Sequence, residues 1–257
     1  MNSQNIQISQ AELTLDRHCP LVKCGQQVKR GERIATSSRP VRGDLHTPVA
    51  GSVSYVDAFR IRIDASPEGE SVEPVELDGL SGADLLTQLR ELGADLPPAE
   101  AVDTLIINAA DPEPDMAARR TLVNTSLATL ERGLEAATTV YSPRRTALAA
   151  LKGSAAELPG AERVDIPDQY PSALDPLVAF AATGEEAPAN TVVIGAETLY
   201  QVGRIMETGL PALETMVTVG EDTEIIAVGT PVGALIEQTG ERPEDRDRIV
   251  LGGILRG

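Results

Sequence analysis

Residues Val102 to Asp115 read VDTLIINAADPEPD. Thr104–Asn108 is a short β-branched apolar run, the composition of a buried strand. It empties into a polar, proline-punctuated turn, Asn108-Ala-Ala-Asp-Pro-Glu-Pro114. Such a strand places side chains at the carboxyl end of a parallel sheet, where open α/β sheets bind their ligands. The segment just upstream, Leu89-Arg-Glu-Leu-Gly-Ala-Asp-Leu-Pro-Pro-Ala-Glu-Ala101, holds one glycine, Gly93. A backbone needs closely spaced glycines to approach a phosphate, and none are here. Asn108, Asp111 and Glu113 are therefore candidates with two readings. They contact a ligand, or they cap the helix expected to begin near Pro114.

Downstream of the turn the pattern alternates. A helix is expected near 115–137, with Leu122, Val123, Leu127, Leu130 and Leu134 on one side, then a strand at about 138–141 (TTVY). Ser142-Pro143 starts a helix through Lys152, and Ala161–Ile166 is a further strand. Pro171–Ala182 is helical and closed by Gly184, Thr191–Gly195 is strand-like, and Thr198–Thr208 is a helix closed by Gly209. Repeated β-then-α units imply a parallel, mostly covered sheet. From 214 to 251 the reading is strand (214–219), strand (223–228), helix (231–238) and strand (248–251), an arrangement like a β-grasp. Arg119 and Arg120 are expected to be solvated helix charges paired with nearby acids, and Tyr170 a packing residue.

Upstream the chain differs. Lys23–Ala35 has the cadence G-x-x-V-x-x-G-x-x-I-A, and His46–Val53 gives x-P-V-x-G-x-V. Short strands between glycine turns argue for a small all-β unit. Residues 66–81 are acidic and rich in turn formers. Residues 82–93 form a helix, with Leu85, Leu86, Leu89 and Leu92 on one face and Ser81 as N-cap. The domain reading is 1–65, a linker and helix at 66–101, an α/β domain at 102–212, and a last module at 213–257.

The chain has 257 residues and a formal charge of −17, which argues against nucleic acid as a partner. Residues 1–65 hold nine Lys/Arg against six Asp/Glu, whereas the remainder holds 13 against 33. The preference for arginine, with three lysines in the whole chain, fits genome composition, and the acidity fits either a partner surface or salt adaptation. The basic cluster Lys29, Arg30, Arg33, Arg39 and Arg42 is either a solvated face or a docking surface, for an acidic partner or for the chain's own acidic body. No apolar run is long enough to cross a membrane, and MNSQNIQISQ has no signal-peptide character. A cytoplasmic protein that reaches a membrane through partners is expected. Cys19 and Cys24 are spaced C-x4-C. With His18 and His46 they make a two-thiolate, two-imidazole set on paper. The plainer reading is two reduced, semi-buried thiols and no metal site. No Walker loop, no G-x-G-x-x-G and no credible nucleophilic triad occurs.

The turn at Asn108 resembles the N-A/G-x-E-x-E-P turn shared by the flavin- and NADH-binding subunit of respiratory complex I and the C subunit of Rnf electron-transport complexes. The resemblance continues in Asp165-Ile-Pro-Asp-Gln-Tyr-Pro-Ser172, in Val192–Gly209 followed by Leu-Pro-Ala-Leu213, in Gly229-Thr-Pro-Val232 and in Ile249–Gly257. The N-terminal cadence is similar to the biotinyl/lipoyl barrel-sandwich fold. Its hairpin, Ser37–Asp44, lacks the lysine that biotin or lipoate needs. A lysine-free sandwich also opens the Rnf C subunit and the A subunit of the Na⁺-translocating NADH:quinone reductase.

The resemblance implies an α/β fold in three modules: a barrel-sandwich module, a central Rossmann-like parallel sheet with helices, and a β-grasp (soluble-ligand-binding) module. It also carries departures. The glycine-rich loop that cradles the flavin phosphate in those families is absent, the acidic turn becomes Asp111-Pro-Glu-Pro114, and no iron–sulfur segment follows. These point towards the quinone-reductase A subunit. The expected function is a peripheral subunit of a membrane-bound Rnf/Nqr-type electron-transfer complex that works by docking. Asn108, Asp111, Glu113 and Tyr170 then mark a vestigial or altered cofactor pocket. Two alternatives stand beside it: an electron carrier that keeps FMN, NADH or quinone at that turn, and a stand-alone small-ligand-binding module.

Overall fold

A computed structural model describes residues 8–98, 101–220, 222–240, 244, 246, 248–253 and 255. Met1–Gln7, most of the N-terminal stretch MNSQNIQISQ, and part of the terminal glycine motif (Ile254, Arg256 and Gly257) lie outside them. The fold is mixed α/β, with several sheets and six helices among the described residues.

The N-terminal part is built from β1 (Gln10–Thr14), β2 (His18–Pro20), β3 (Gln27–Val28), β4 (Arg33–Ser37), β5 (Leu45–His46), β6 (Gly51–Val56) and β7 (Arg60–Ala65). They make two antiparallel sheets, ordered β1-β7-β6-β3 and β2-β4-β5. Alternate residues of both sheets, among them Leu13, Ile34, Val53, Ile61 and Ile63, bury one shared apolar core. Cys19 and Cys24 are free and exposed, not semi-buried as the sequence suggested. Neither belongs to that core.

Helix α1 (Gly82–Glu91) starts at Ser81, whose Oγ accepts a hydrogen bond from Asp84 N at 3.3 Å, and buries Leu85 and Leu89. The β unit is fastened to the end of this helix. Asp44 N donates to Arg90 O at 2.9 Å and Gly43 N to Asp95 Oδ1 at 2.9 Å. A Cβ on Gly43 would lie 2.3 Å from the Gly93 carbonyl carbon, so only glycine permits this approach.

Next come β8 (Thr104–Asn108), α2 (Ala118–Thr125), α3 (Leu127–Tyr141), β9 (Arg145–Leu151), β10 (Glu162–Ile166), α4 (Asp175–Thr183), β11 (Thr191–Gly195) and α5 (Ala196–Thr208). The four strands are parallel and ordered β10-β9-β8-β11. One face, with Leu105, Ile107, Leu148 and Ile194, packs under α1, α2, α3 and α5. The other, with Ile106, Ala147 and Ala149, packs under α4. Helices α3 and α5 touch backbone to backbone, since a Cβ on Gly133 would lie 2.2 Å from Leu199 O and one on Gly203 2.0 Å from Thr129 O.

Two expectations fail here for one reason. Thr138–Tyr141 has strand propensity but is the last turn of α3, where Ala137 and Tyr141 extend the buried stripe and Tyr141 Oη donates to Pro97 O at 2.8 Å. Arg145–Leu151 is alanine-rich and read as helix, but it is a strand of the parallel sheet, buried on both faces at Ala147–Ala150. Tertiary packing overrides propensity at both places. The long helix expected at 115–137 is two helices, broken at Ser126. Helix α4 begins at Asp175 rather than Pro171.

The last part holds an antiparallel pair, β12 (Glu214–Val219) and β13 (Asp222–Ala227), and α6 (Val232–Thr239). Arg248–Leu251 is not a strand. Ile249, Val250 and Leu251 are exposed and join no ladder among the described residues, and Gly252 and Gly253 (φ 92 and 101) turn the chain back towards Glu113.

Candidate functional site

Asn108 is the last residue of β8, in register with Ala149 of β9 and Gly195 of β11. It is fully buried. Its Nδ2 donates to Ala173 O and to Asp175 Oδ1, both at 2.9 Å, and its Oδ1 accepts from Ala110 N at 3.2 Å. Asn108 thus ties the strand end to the start of α4. Among the described residues it bonds to the start of α4 and not to the helix that follows it, and it is not among the residues that line the cleft below.

Asp111 makes the cap instead. Its Oδ1 accepts from Arg119 N at 2.8 Å, holding the first turn of α2. Its side chain is 5% exposed, and Arg120 Nε lies 3.6 Å from Oδ2. That second oxygen is buried with no hydrogen-bond partner among the described residues. Burial pushes the Asp111 carboxyl above the usual carboxylate range, against the pull of the Arg119 N–H and the Arg120 charge.

Glu113 repeats the pattern. It is 4% exposed, its Oε2 accepts from Leu255 N at 2.8 Å, and its Oε1 is buried without a hydrogen-bond partner among the described residues. Gly253 lies against it so closely that a Cβ would fall 2.5 Å from Glu113 Cδ.

Asp111 and Glu113 line a cleft of about 360 Å³ at the carboxyl ends of β8, β9 and β10, with Tyr170 on its wall. Tyr170 is 42% exposed, not packed inside as its sequence context suggested, because the loop that carries it runs over the sheet end before α4 begins. Three carboxylates (Asp111, Glu113 and Asp168) and one guanidinium (Arg120) line the cleft together with four prolines, among the described residues.

The crevice between β8 and β11 is a different place. There the strand order reverses direction, the position where open sheets place ligands. Arg119 and Glu197 occupy it. Arg119 Nε donates to Glu197 Oε1 at 2.9 Å and Oε2 at 2.8 Å, and its Nη1 donates to Ala110 O at 3.1 Å. Gly195 makes room, since a Cβ there would be 2.4 Å from Glu197 Oε2. Arg119 is 14% exposed and not the solvated charge expected of it, although it is paired. Sequence reasoning missed Glu197. The available signal was an acid in the first helical turn after a strand, where the macrodipole favours it.

The five basic residues of the N-terminal unit do not form one open patch. Lys29 pairs with Glu70 (2.6 Å), Arg33 with Asp44 (3.0 Å) and Arg42 with Asp95 (2.7 Å). Arg30 lies by Tyr200 and Arg204, and Arg39 N donates to Ser37 Oγ. His18 and His46 likewise make separate contacts: His18 Nε2 with Gly43 O, and His46 with Gly31 O and Glu91 O. No cluster of three His, Cys, Asp or Glu suited to a metal ion occurs among the described residues.

No protein-family model matches the chain. It is 24% identical to the C subunit of the Na⁺-translocating ferredoxin:NAD⁺ oxidoreductase complex of Acetobacterium woodii, across 93% of this chain and 65% of that protein. It is 27% identical to the C subunit of the ion-translocating oxidoreductase complex of Serratia proteamaculans and 25% identical to that of Vibrio cholerae. Those two alignments cover 92% of this chain but 40% and 37% of the relatives. The chain therefore spans less than two thirds of the length of these relatives. With alignments over 92–93% of its length, the chain is a relative of the C subunits of Rnf-type ion-translocating oxidoreductase complexes.

Proposed function

We propose that this chain is a peripheral, cytoplasmic-side subunit of a membrane-bound Rnf- or Nqr-like electron-transfer complex, and that it works mainly by docking. The relationship to complex subunits over 92–93% of the chain supports the assembly. No helix among the described residues is long and apolar enough to cross a membrane; in this reading attachment runs through neighbouring subunits.

One observation carries the docking half. Donors that a cofactor phosphate would take at the start of α2 are engaged within the chain. Ala117 N donates to Thr218 Oγ1 at 3.1 Å and Arg119 N to Asp111 Oδ1 at 2.8 Å, which consumes N–H groups at the start of α2. Prolines 112 and 114 have no N–H to offer. The Arg119–Glu197 pair fills the switch-point crevice, and a phosphate in the adjacent cleft would face three carboxylates. These residues do not fit FMN or NADH bound through a phosphate.

In this reading residues 1–65 are a barrel-sandwich module and 213–257 a β-grasp module, each meeting a neighbouring subunit. Residues 102–212 are a Rossmann-like body, joined to the first module through 66–101. Lys29, Arg30, Arg33, Arg39 and Arg42 belong to the docking side. Glu70, Asp44 and Asp95 offset three of the five charges, which weakens long-range steering and suits a contact held more by shape.

The test is purification of the tagged chain from membranes of its host in mild detergent, together with titration of the isolated chain with FMN and NADH. Recovery with integral membrane redox subunits, and a protein spectrum that gains no co-eluting flavin band, is expected. Recovery as a free monomer overturns the assembly. A flavin band that co-elutes overturns the docking-only role.

A further inference from the structure

Helix α4 departs in composition from the rest of this acidic chain. From Pro176 to Ala182 it reads PLVAFAA, without one polar residue. Val178, Ala179 and Ala182 are buried against the sheet. Pro176, Leu177, Phe180 and Ala181 face away from it and are exposed, Phe180 to 48% and Leu177 to 42%. A helix that is apolar all round belongs between two packed layers, and the chain itself supplies one. The sequence has no tryptophan and two phenylalanines, Phe59 and Phe180, and both are exposed. An exposed aromatic within an apolar stripe is the composition of a protein contact.

The layer on this face is also incomplete. The opposite sheet face packs under α1, α2, α3 and α5, and this one under α4. Four strands span roughly 14 Å between their outer axes, and one helix covers about 10 Å. Val164 of β10 and Val193 of β11 accordingly stay partly exposed. The charges indicate what completes the layer. Asp175 opens α4, and Glu185 and Glu186 follow its C-cap, Gly184. All three are exposed, and none has an ion-pair partner among the described residues. Arg145, a cation of the same sheet face, is already taken, by Glu162 at 2.8 Å and by Ala182 O at 2.6 Å. Acid at both ends of α4 opposes a second copy, because two such helices laid together in either direction set acid against acid. It opposes an anionic lipid surface for the same reason. It suits an apolar stripe with basic residues at both ends. The i,i+4 rows Pro176–Phe180 and Leu177–Ala181 are ridges of the kind that fill the grooves of another helix.

We propose that the Leu177–Phe180 face of α4 is a docking surface for an amphipathic helix of a partner protein, with an apolar stripe flanked at both ends by Lys or Arg. The proposal rests on the docking reading for the source of that partner, and adds a contact surface on the central α/β body. The titration that tests it needs no membrane complex, so the two readings can fail separately.

The experiment is calorimetric titration of the purified full chain with a helical peptide of about four turns, leucine along one face and lysine at both ends. The controls are the same peptide with glutamate for lysine, and a shuffled peptide of the same composition with no apolar face. Saturable binding of the leucine–lysine peptide, about ten-fold or more tighter than either control, is expected, with amide shifts centred on residues 175–186. Phe180→Asp should weaken binding about ten-fold or more, although it adds negative charge. Leu177→Gln, which leaves the charge unchanged, should weaken it several-fold, as should Glu185→Gln combined with Glu186→Gln. All four positions are exposed, so folding is not at stake. Absence of saturable binding, equal binding of the shuffled peptide, or binding that Phe180→Asp leaves unchanged or strengthens overturns the proposal. The last outcome would mean diffuse attraction to a chain of charge −17. Self-association of the chain that Phe180→Asp abolishes would overturn the occupant and give the face to a second copy. Peptide binding by a chain recovered as a free monomer would remove the complex and keep the surface.

Discussion

The guanidinium of Arg119 donates through Nε to both carboxylate oxygens of Glu197, at 2.8 and 2.9 Å, directly over the point where the parallel sheet changes direction. The pair joins α2 to the first turn of α5 and seals the crevice that this sheet topology leaves open. Both groups are sheltered, so removing one strands the other. Glu197→Leu is expected to lower stability by about 2 kcal/mol, because it leaves the Arg119 charge without its partner. The double replacement Arg119→Met with Glu197→Leu should cost much less than Arg119→Met alone, because the orphaned carboxylate is then gone. Urea denaturation of the three variants measures the coupling. Strict additivity of the two single changes would show that the pair contributes nothing as a pair.

The glycines between α3 and α5 give a second prediction. A Cβ at Gly203 would stand 2.0 Å from Thr129 O and one at Gly133 2.2 Å from Leu199 O, and neither backbone can yield without moving a helix. Gly133→Ala and Gly203→Ala should each destabilise by about 3 kcal/mol. Gly233, inside α6 with nothing within 4 Å of its would-be Cβ, is the contrast. Gly233→Ala should stabilise the helix by about 0.5–1 kcal/mol. Opposite shifts in denaturation midpoint for chemically identical substitutions would verify the close helix contact.

His46 predicts a pH dependence. The ring is buried between the β unit and α1, with Nδ1 2.9 Å from Gly31 O and Nε2 2.7 Å from Glu91 O. Burial lowers its pKa below the ordinary 6.5, and the two carbonyls only partly offset this. Below 6.5 the unfolded chain binds a proton that the folded chain resists. The contribution of His46 is therefore fully present above pH about 6.5 and is lost as pH falls through the window beneath it. Melting temperatures from pH 8 to 5 should decline for the native chain, and His46→Asn should flatten that part of the curve.

Asp111 runs the other way. Burial raises its pKa above the ordinary 3.8, so over the interval above 3.8 the folded chain holds a proton that the unfolded chain has released. Its favourable term is complete below 3.8 and fades as pH climbs through the raised value. Asp111→Asn keeps an acceptor for Arg119 N and should improve stability at neutral pH relative to pH 4. A loss of stability that is the same at both pH values would place the role of Asp111 wholly in the helix cap.

Much of the architecture was legible because it rests on local signals. Thr104–Asn108 and Thr191–Gly195 read as strands because β-branched apolar runs bounded by turn formers have few other uses. Ser81 announced α1, and Gly184 and Gly209 announced the ends of α4 and α5, since each fills a role that needs its particular backbone freedom or side-chain oxygen. Where the reading failed, the signal was not local. Arg145–Leu151 carries helix-forming alanines, and it is a strand because small side chains let layers close over a sheet buried on both faces. Thr138–Tyr141 carries strand-forming residues, and it is helical because Tyr141 reaches Pro97.

The candidate site divides in the same way. Asn108, Asp111 and Glu113 were visible as polar groups stranded at the end of an apolar strand, which one-dimensional pattern reveals. Their roles were not visible. Asn108 is bonded across 67 positions to Asp175, and Glu113 across 142 to Leu255, so partners were set by topology alone. Glu197 became a plug only when the sheet order put β11 beside β8. By itself the sequence determined composition, charge asymmetry, the strand-and-turn that marks the sheet end, and the absence of closely spaced glycines before it. The tertiary structure alone decided which carboxylate oxygens lost their partners and which crevice stayed open, because hydrogen-bond satisfaction and burial are set by contacts between residues far apart in the chain.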